Sequence, residues 1–139
     1  MTNQTMDSDT ALRWQANADT QRSRFSDYAL DPAHTITLHP HDGIARIVWN
    51  GTIVADSRAA IALHERNHEP VLYFPTDDVQ AELLARTDHA THCPYKGDAS
   101  YWSLEDNGGT AENAVWAYES PIKAMAGIKG YMAFYLDSM

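Results

Sequence analysis

The segment Thr91–Asp98, with the sequence THCPYKGD, concentrates side chains that can do chemistry. Its proline and glycine disfavour regular structure, so we predict a loop, where functional sites are usually found. Lys96 could hold an anion in this loop, or act as a base or nucleophile if burial made its amine neutral. Cys93 could act as a nucleophile if a neighbouring histidine or lysine stabilised its thiolate. A solvated lysine and a small buried cysteine are the plainer alternatives.

Two carboxylates and a set of aromatic residues complete the predicted site. Glu65 or Asp78 would supply a negative charge near Lys96, and any of these three groups could serve as an acid or base. Aromatic residues alternate along the predicted strands, so those on the face of Lys96 would line a pocket while the others fill the core. The candidate ligand-binding residues are Tyr73, Cys93, Tyr101, Trp116 and Tyr118.

Seven histidines suggest a metal site, but their arrangement argues against one. His64 and His68 fit the zinc-peptidase pattern His-Glu-x-x-His, which requires a long helix, whereas Pro70 and strand-like residues follow at once. The single cysteine excludes an internal disulfide and a multi-cysteine zinc site. The chain also lacks a Ser-His-Asp spacing, a phosphate-binding loop and a glycine-rich dinucleotide turn. We therefore predict neither a metal nor a cofactor.

Length and charge restrict the partners. The chain has 139 residues and a net charge of −9, which repels nucleic acid. Its apolar runs are far shorter than the roughly 20 residues of a membrane span. No apolar segment follows Met1, as a secretory signal would require. We expect a cytoplasmic protein that binds a small molecule but neither nucleic acid nor a membrane, and that could form a homodimer.

The composition changes near residue 31. Residues 1–31 are polar, which predicts a mobile tail or a segment whose aromatics Trp14, Phe25 and Tyr28 dock on the domain or a partner subunit. Residues 32–139 carry strand-like patterns throughout, which predicts a single β-rich domain.

Two hairpins are the clearest local features of this domain. Asn50-Gly51 fits a two-residue turn that requires positive φ angles. The register that follows pairs Trp49 with Thr52, Val48 with Ile53 and Ile47 with Val54. Both faces of this hairpin are largely apolar, so both are predicted to be covered. A second hairpin is predicted around Asn107–Gly109.

Two helices are predicted beside the strands. Asp77 and Gln80 form a capping-box pattern at the start of one, and Ser120-Pro121 fits the start of the other. The second helix would bury Ile122, Met125 and Ala126. No strand–helix–strand rhythm is present. The sequence thus predicts a mainly β fold: a compact antiparallel domain of seven or eight short strands, barrel-like or tent-like, with two short helices.

Several stretches resemble the family known as domain of unknown function 427. The most specific is the run Cys93-Pro-Tyr-Lys-Gly-Asp-Ala99. This run lies within a longer matching stretch, Thr91–Tyr101. The further matches are Pro32-x-His34-x-Ile36, Asn50-Gly51, Ala55-Asp-Ser57, Leu63-x-Glu65, Tyr73-Phe-Pro-x-Asp-Asp-Val79, Asn113-Ala-Val-Trp-x-Tyr118, Pro121 and Ala133-Phe-Tyr135. The resemblance spans about residues 31–137.

The resemblance implies a compact β-rich domain and a set of characteristic residues. These are Asp56, Glu65, Tyr73, Asp78, Cys93, Lys96, Gly97, Tyr101, Trp116 and Tyr118. Some relatives carry a nucleotidyltransferase label, but the glycine-serine and paired-carboxylate pattern of that class is missing here. The sequence leaves two hypotheses: a small-molecule-binding protein, with or without cofactor-independent lyase or isomerase chemistry, and a non-enzymatic interaction module.

Overall fold

The computed structural model describes residues 33–139, so the predicted tail and its aromatic residues lie outside the described part. A seven-stranded sheet and a separate two-stranded ribbon form this part of the chain. The strands are β1 (Ile36–Pro40), β2 (Ala45–Trp49), β3 (Thr52–Ser57), β4 (Ile61–Glu65), β5 (Val71–Pro75), β6 (Leu84–Cys93), β7 (Gly97–Asp106), β8 (Gly109–Ala117) and β9 (Tyr131–Phe134).

The large sheet has the strand order β1-β4-β5-β9-β8-β7-β6, and each neighbouring pair is antiparallel. The last strand, β9, thus lies between β5 and β8 and joins the two halves of the sheet. The sheet does not close, because β1 and β6 form its two edges. The predicted mainly β antiparallel fold is confirmed, with nine strands in residues 33–139 rather than seven or eight.

Each face of the large sheet carries its own hydrophobic cluster. Because side chains alternate along a strand, Val71 and Tyr73 point into one cluster, and Leu72 and Phe74 into the other. The segment 122–128 covers the first face, and the β2–β3 ribbon covers the second. All four of these β5 residues are buried, as expected for a strand covered on both sides.

The β2–β3 ribbon confirms the predicted turn but not the whole predicted register. Val48 faces Ile53 as expected, whereas Ile47 faces Ala55 because Val54 forms a bulge. The prediction that both faces are covered is wrong: Val48 is 57% exposed and Ile53 42%. Only the opposite face of the ribbon packs on the large sheet.

The two predicted helices are wrong in type. The first is replaced by 3-10 turns at Thr76–Asp78 and Ala81–Leu83, between which Val79 is extended and bridges Ala55 of β3. Pairing with the bulged strand therefore overrides the capping pattern, and no side chain caps either turn. Within residues 33–139, no helix is long and apolar enough to cross a membrane.

The second helix is a 3-10 segment, Lys123–Ile128. It buries Met125 and Ile128, with Ile122 just before it, whereas Ala126 is exposed. The spacing of three residues is the 3-10 period, which explains why Ile128 replaces Ala126 on the inner face.

Candidate functional site

The turn that carries Lys96 is a tight hairpin rather than the predicted loop. Cys93 of β6 pairs with Gly97 of β7, which leaves three residues in the turn. The Lys96 amide donates to the Cys93 carbonyl oxygen at 3.1 Å, and Gly97 has a φ of 116° that glycine adopts most easily. The Ile122 amide donates to the Lys96 carbonyl oxygen at 3.0 Å, which fixes this turn against the segment 122–128.

The Lys96 side chain points into the protein and is completely buried, at 0% exposure. Its ammonium donates to Glu65 Oε1 at 2.8 Å, and the Glu65 side chain is also buried. The two residues are 31 positions apart and come from different halves of the sheet. Of the two carboxylates predicted near Lys96, the structure brings Glu65 to it.

Glu65 is held on its other side by His34. The second carboxylate oxygen, Oε2, lies 2.7 Å from His34 Nε2, and the imidazole is buried. The imidazole ring stacks on Tyr95, with ring centres 4.9 Å apart. Pairing of Ile36 with Glu65 in the β1–β4 ladder positions the histidine beside the carboxylate. His34, Glu65 and Lys96 therefore form a continuous buried chain of hydrogen bonds.

Cys93 contacts this chain through its sulfur, which lies 3.6 Å from Lys96 Nζ. Burial raises the pKa of the Cys93 thiol, although the nearby Lys96 charge acts in the opposite direction. The thiol form is therefore favoured over the thiolate. A nucleophilic cysteine needs a lowered pKa, so this geometry favours a Cys93 that packs against Lys96 rather than one that attacks a substrate.

Aromatic side chains surround the buried charges. Trp116 Nε1 donates to the Tyr73 hydroxyl at 3.2 Å, and the Trp116 ring lies 4.2 Å from that of Tyr135. Tyr101 stacks on Tyr135 at 6.4 Å, and its hydroxyl lies 2.9 Å from Thr91 Oγ1. Burial raises the pKa of Tyr73 well above its ordinary value, and the nearby Glu65 carboxylate raises it further.

Two buried donors in this cluster lack an acceptor among residues 33–139. A lysine ammonium has three N–H donors, and within residues 33–139 Lys96 Nζ contacts one oxygen and one sulfur acceptor. The Tyr118 side chain is buried, and its hydroxyl forms no hydrogen bond with another described residue. Burial raises the pKa of Tyr118 well above its usual value, and Tyr73, Cys93, Tyr101 and Tyr135 raise it further because they lie near.

Asp78 lies apart from this cluster. Its Oδ2 accepts a hydrogen bond from Ser57 Oγ at 2.6 Å, and Ser57 Oγ in turn accepts from the Ala59 amide at 2.9 Å. Asp78 therefore connects the 3-10 turn to the end of β3. The structure brings together Lys96, Glu65 and the five candidate ligand-binding residues, but not Asp78.

The cluster offers acid–base groups rather than metal ligands. Across residues 33–139, His, Cys, Asp and Glu side chains form no group of three or more that could hold a metal ion. His64 lies on β4 and is exposed, so the His-Glu-x-x-His segment is not helical. His34, Glu65 and Lys96 could instead pass a proton along their hydrogen bonds.

Sequence reasoning missed three members of the cluster: His34, Tyr95 and Tyr135. His34 and Tyr135 both fall in stretches that resemble the domain of unknown function 427, and that was the one signal available for them. Tyr95 is adjacent to Lys96 in the sequence but was not included in the predicted pocket. Its stacking on His34 depends on the hairpin turn and on β1, which are distant in sequence.

Comparison with known proteins supports the resemblance to this family from residue 37 onward. A search of curated proteins gave no match. The family profile described as "Domain of unknown function (DUF427)" matches residues 37–139, which include Glu65, Cys93, Lys96 and the aromatic residues around them. Because this match covers most of the chain, the protein is a member of the DUF427 family.

Proposed function

We propose that the protein binds a small molecule at the buried cluster of His34, Glu65, Cys93 and Lys96, and that this cluster exchanges a proton with the bound molecule. The observation that carries the proposal is the completely buried Lys96 ammonium, one of whose N–H donors has no acceptor in the part of the chain that the structure describes. Stability alone gives a weak reason for such a group, because a buried ion pair often contributes no more than apolar residues of similar volume.

The spare donors indicate the chemistry of the ligand. Buried polar groups almost always have a hydrogen-bond partner, so the third Lys96 N–H and the Tyr118 hydroxyl call for one. A carbonyl or carboxylate oxygen would satisfy either donor. The aromatic rings of Tyr73, Tyr101 and Trp116 supply the apolar walls that small-molecule sites use.

The hydrogen-bond chain supplies the acid–base groups. The Lys96 ammonium would first donate a proton to a substrate oxygen, and the neutral amine that remains would then take a proton from the substrate's carbon, which restores the ammonium. Glu65 and His34 would hold the amine in position between the two transfers. This arrangement suits lyase or isomerase chemistry that needs no cofactor. Because Lys96 has no solvent exposure, a ligand reaches it only when neighbouring side chains move, so we expect slow association.

Saturation-transfer NMR with a set of small ketones and carboxylates tests this proposal on the full chain. We expect members of the set to bind the wild type and to bind Tyr118→Phe and Lys96→Met more weakly. Tyr118→Phe keeps the ring and leaves no buried charge behind, so it remains informative if Lys96→Met unfolds. Lys123→Met, which changes an exposed lysine, is the matched control. No binding by the set, or equal binding by Tyr118→Phe, would contradict the proposal.

Self-association is the second candidate function, and the exposed face of the β2–β3 ribbon supports it. Val48 and Ile53 face each other there, and beside them Arg46 pairs with Asp56 at 3.3 Å. One basic and one acidic residue next to an apolar pair make the surface self-complementary about a two-fold axis. Sedimentation velocity should show a wild-type dimer and a Val48→Asp monomer; a monomeric wild type would rule this function out.

A further inference from the structure

A cleft lies away from the buried cluster, beside the ends of β5 and β8 and the start of β9. This cleft of about 300 Å³ is lined by Thr76, Trp102, Ala117, Glu119, Lys129, Gly130, Tyr131 and Met132. None of these residues belongs to the His34–Glu65–Lys96 chain. We propose that the cleft binds a small planar aromatic carboxylate, independently of the function proposed above.

The residues that line the cleft are arranged as in a small-molecule binding site. Its floor consists of Ala117 and Met132, which are both buried, and its walls include the rings of Trp102 and Tyr131. The polar residues lie at the rim, where they are exposed. An apolar floor with aromatic walls and a few polar groups is typical of small-molecule sites, whose volumes begin at roughly 300 Å³. The size suits a single ring with one substituent.

The Trp102 ring, which forms one wall of the cleft, is held in place by contacts within the protein. The Arg86 guanidinium lies 5.0 Å from the centre of the Trp102 ring, within the range of a cation–π contact. Arg86 also donates to both oxygens of Glu119, at 2.8 and 3.1 Å, and Ser100 Oγ donates to Glu119 Oε1 at 2.8 Å. A ring and a carboxylate fixed in this way lose little conformational entropy on binding.

The charge at the rim favours an anion. Hydrogen bonds from Arg86 and Ser100 lower the pKa of Glu119, so this carboxylate is ionised and its charge is already compensated by Arg86. Lys129 is exposed and forms no ion pair with any residue in the range 33–139. One positive charge at the rim is thus uncompensated, in a chain whose net charge is −9. If an aromatic ring bound between Trp102 and Tyr131, a carboxylate on that ring would pair with the Lys129 ammonium.

The probes for this proposal are benzoate and benzamide, which share a ring but differ in charge. The indole N–H resonance of Trp102, assigned by its loss in Trp102→Phe, reports on the cleft. We expect benzoate to shift this resonance saturably and benzamide to bind roughly threefold more weakly, as expected for one exposed ion pair. In Lys129→Met the two probes should bind equally, whereas Lys123→Met should keep the preference for benzoate.

Three results would overturn the proposal. They are a Trp102 resonance that benzoate does not shift, a wild type that binds both probes equally, and a Lys129→Met variant that still prefers benzoate. None of these results bears on Tyr118 or Lys96, so failure here is distinguishable from failure of the buried site. Conversely, a Tyr118→Phe variant that fails to bind in the earlier experiment should still show the Trp102 resonance, and benzoate should still shift it.

Discussion

Replacing Lys96 by methionine is the most informative perturbation of the buried cluster. Methionine keeps most of the apolar stem and removes the ammonium that donates to Glu65 at 2.8 Å. The Glu65 carboxylate then stays buried with His34 as its remaining hydrogen-bond partner in the cluster. Breaking one side of a buried ion pair costs about 3–5 kcal/mol, because a charge is left uncompensated. That is a large part of the roughly 5–15 kcal/mol that stabilises a domain.

Urea denaturation of the single variants and the double variant measures this cost. We expect Lys96→Met and Glu65→Gln each to be strongly destabilised, and the double variant to be less destabilised than the sum of the two. The control, Lys123→Met, should change the free energy of unfolding by less than about 0.5 kcal/mol. A Lys96→Met variant as stable as this control, or additive single effects, would refute the reasoning.

Four further outcomes follow from the structure. Burial raises the pKa of the Cys93 thiol, so iodoacetamide should label it at the rate of global unfolding; rapid labelling of the folded protein would contradict this. Burial also raises the pKa of Tyr73 and Tyr118, so the stability they contribute is present below the ordinary tyrosine pKa of about 10 and is lost as the pH rises above it; the tyrosinate absorbance that Tyr73→Phe or Tyr118→Phe removes should appear together with unfolding, not before. Gly97→Ala should cost about 1–2 kcal/mol in thermal or urea denaturation, because alanine resists a φ of 116°. A chelator should leave the melting temperature unchanged, since residues 33–139 gather no metal-ligand group; a large decrease would show a metal.

Local sequence signals predicted the hairpins, because their turns are encoded by a few adjacent residues. Asn50 and Gly51 have φ angles of 52° and 75°, as the Asn-Gly pair indicates. The bulge at Val54 has no comparable signal, since it depends on a contact with a distant segment: the Gln80 amide donates to the Val54 carbonyl oxygen at 2.8 Å. The register beyond the turn could therefore not be derived from the hairpin alone.

The sequence was sufficient to name candidate site residues but not to show which of them lie together. Lys96 and Glu65 were both candidates from the sequence, but two carboxylates could have paired with the lysine. Glu65, at the end of β4, is the carboxylate that reaches Lys96, although β5, β9 and β8 separate β4 from β7 in the sheet. From the sequence, Asp78 was as good a partner for Lys96 as Glu65, but in the structure its carboxylate accepts a hydrogen bond from Ser57, away from Lys96. Pairings between distant segments are not encoded in local patterns.

The position of β9 in the sheet has a consequence for the kinetics of folding. This C-terminal strand lies between the half that holds Glu65 and the half that holds Lys96, so the two halves complete their sheet only after the last strand docks. If β9 docks after the transition state for folding, and the Lys96–Glu65 pair forms only with that docking, the pair contributes nothing to the transition state. Lys96→Met should then have a φ-value near zero, with an unchanged folding rate and faster unfolding in stopped-flow measurements. A slower folding rate would place the pair in the nucleus instead. On this ordering, the buried pair sets how long the native protein persists, rather than how quickly it forms.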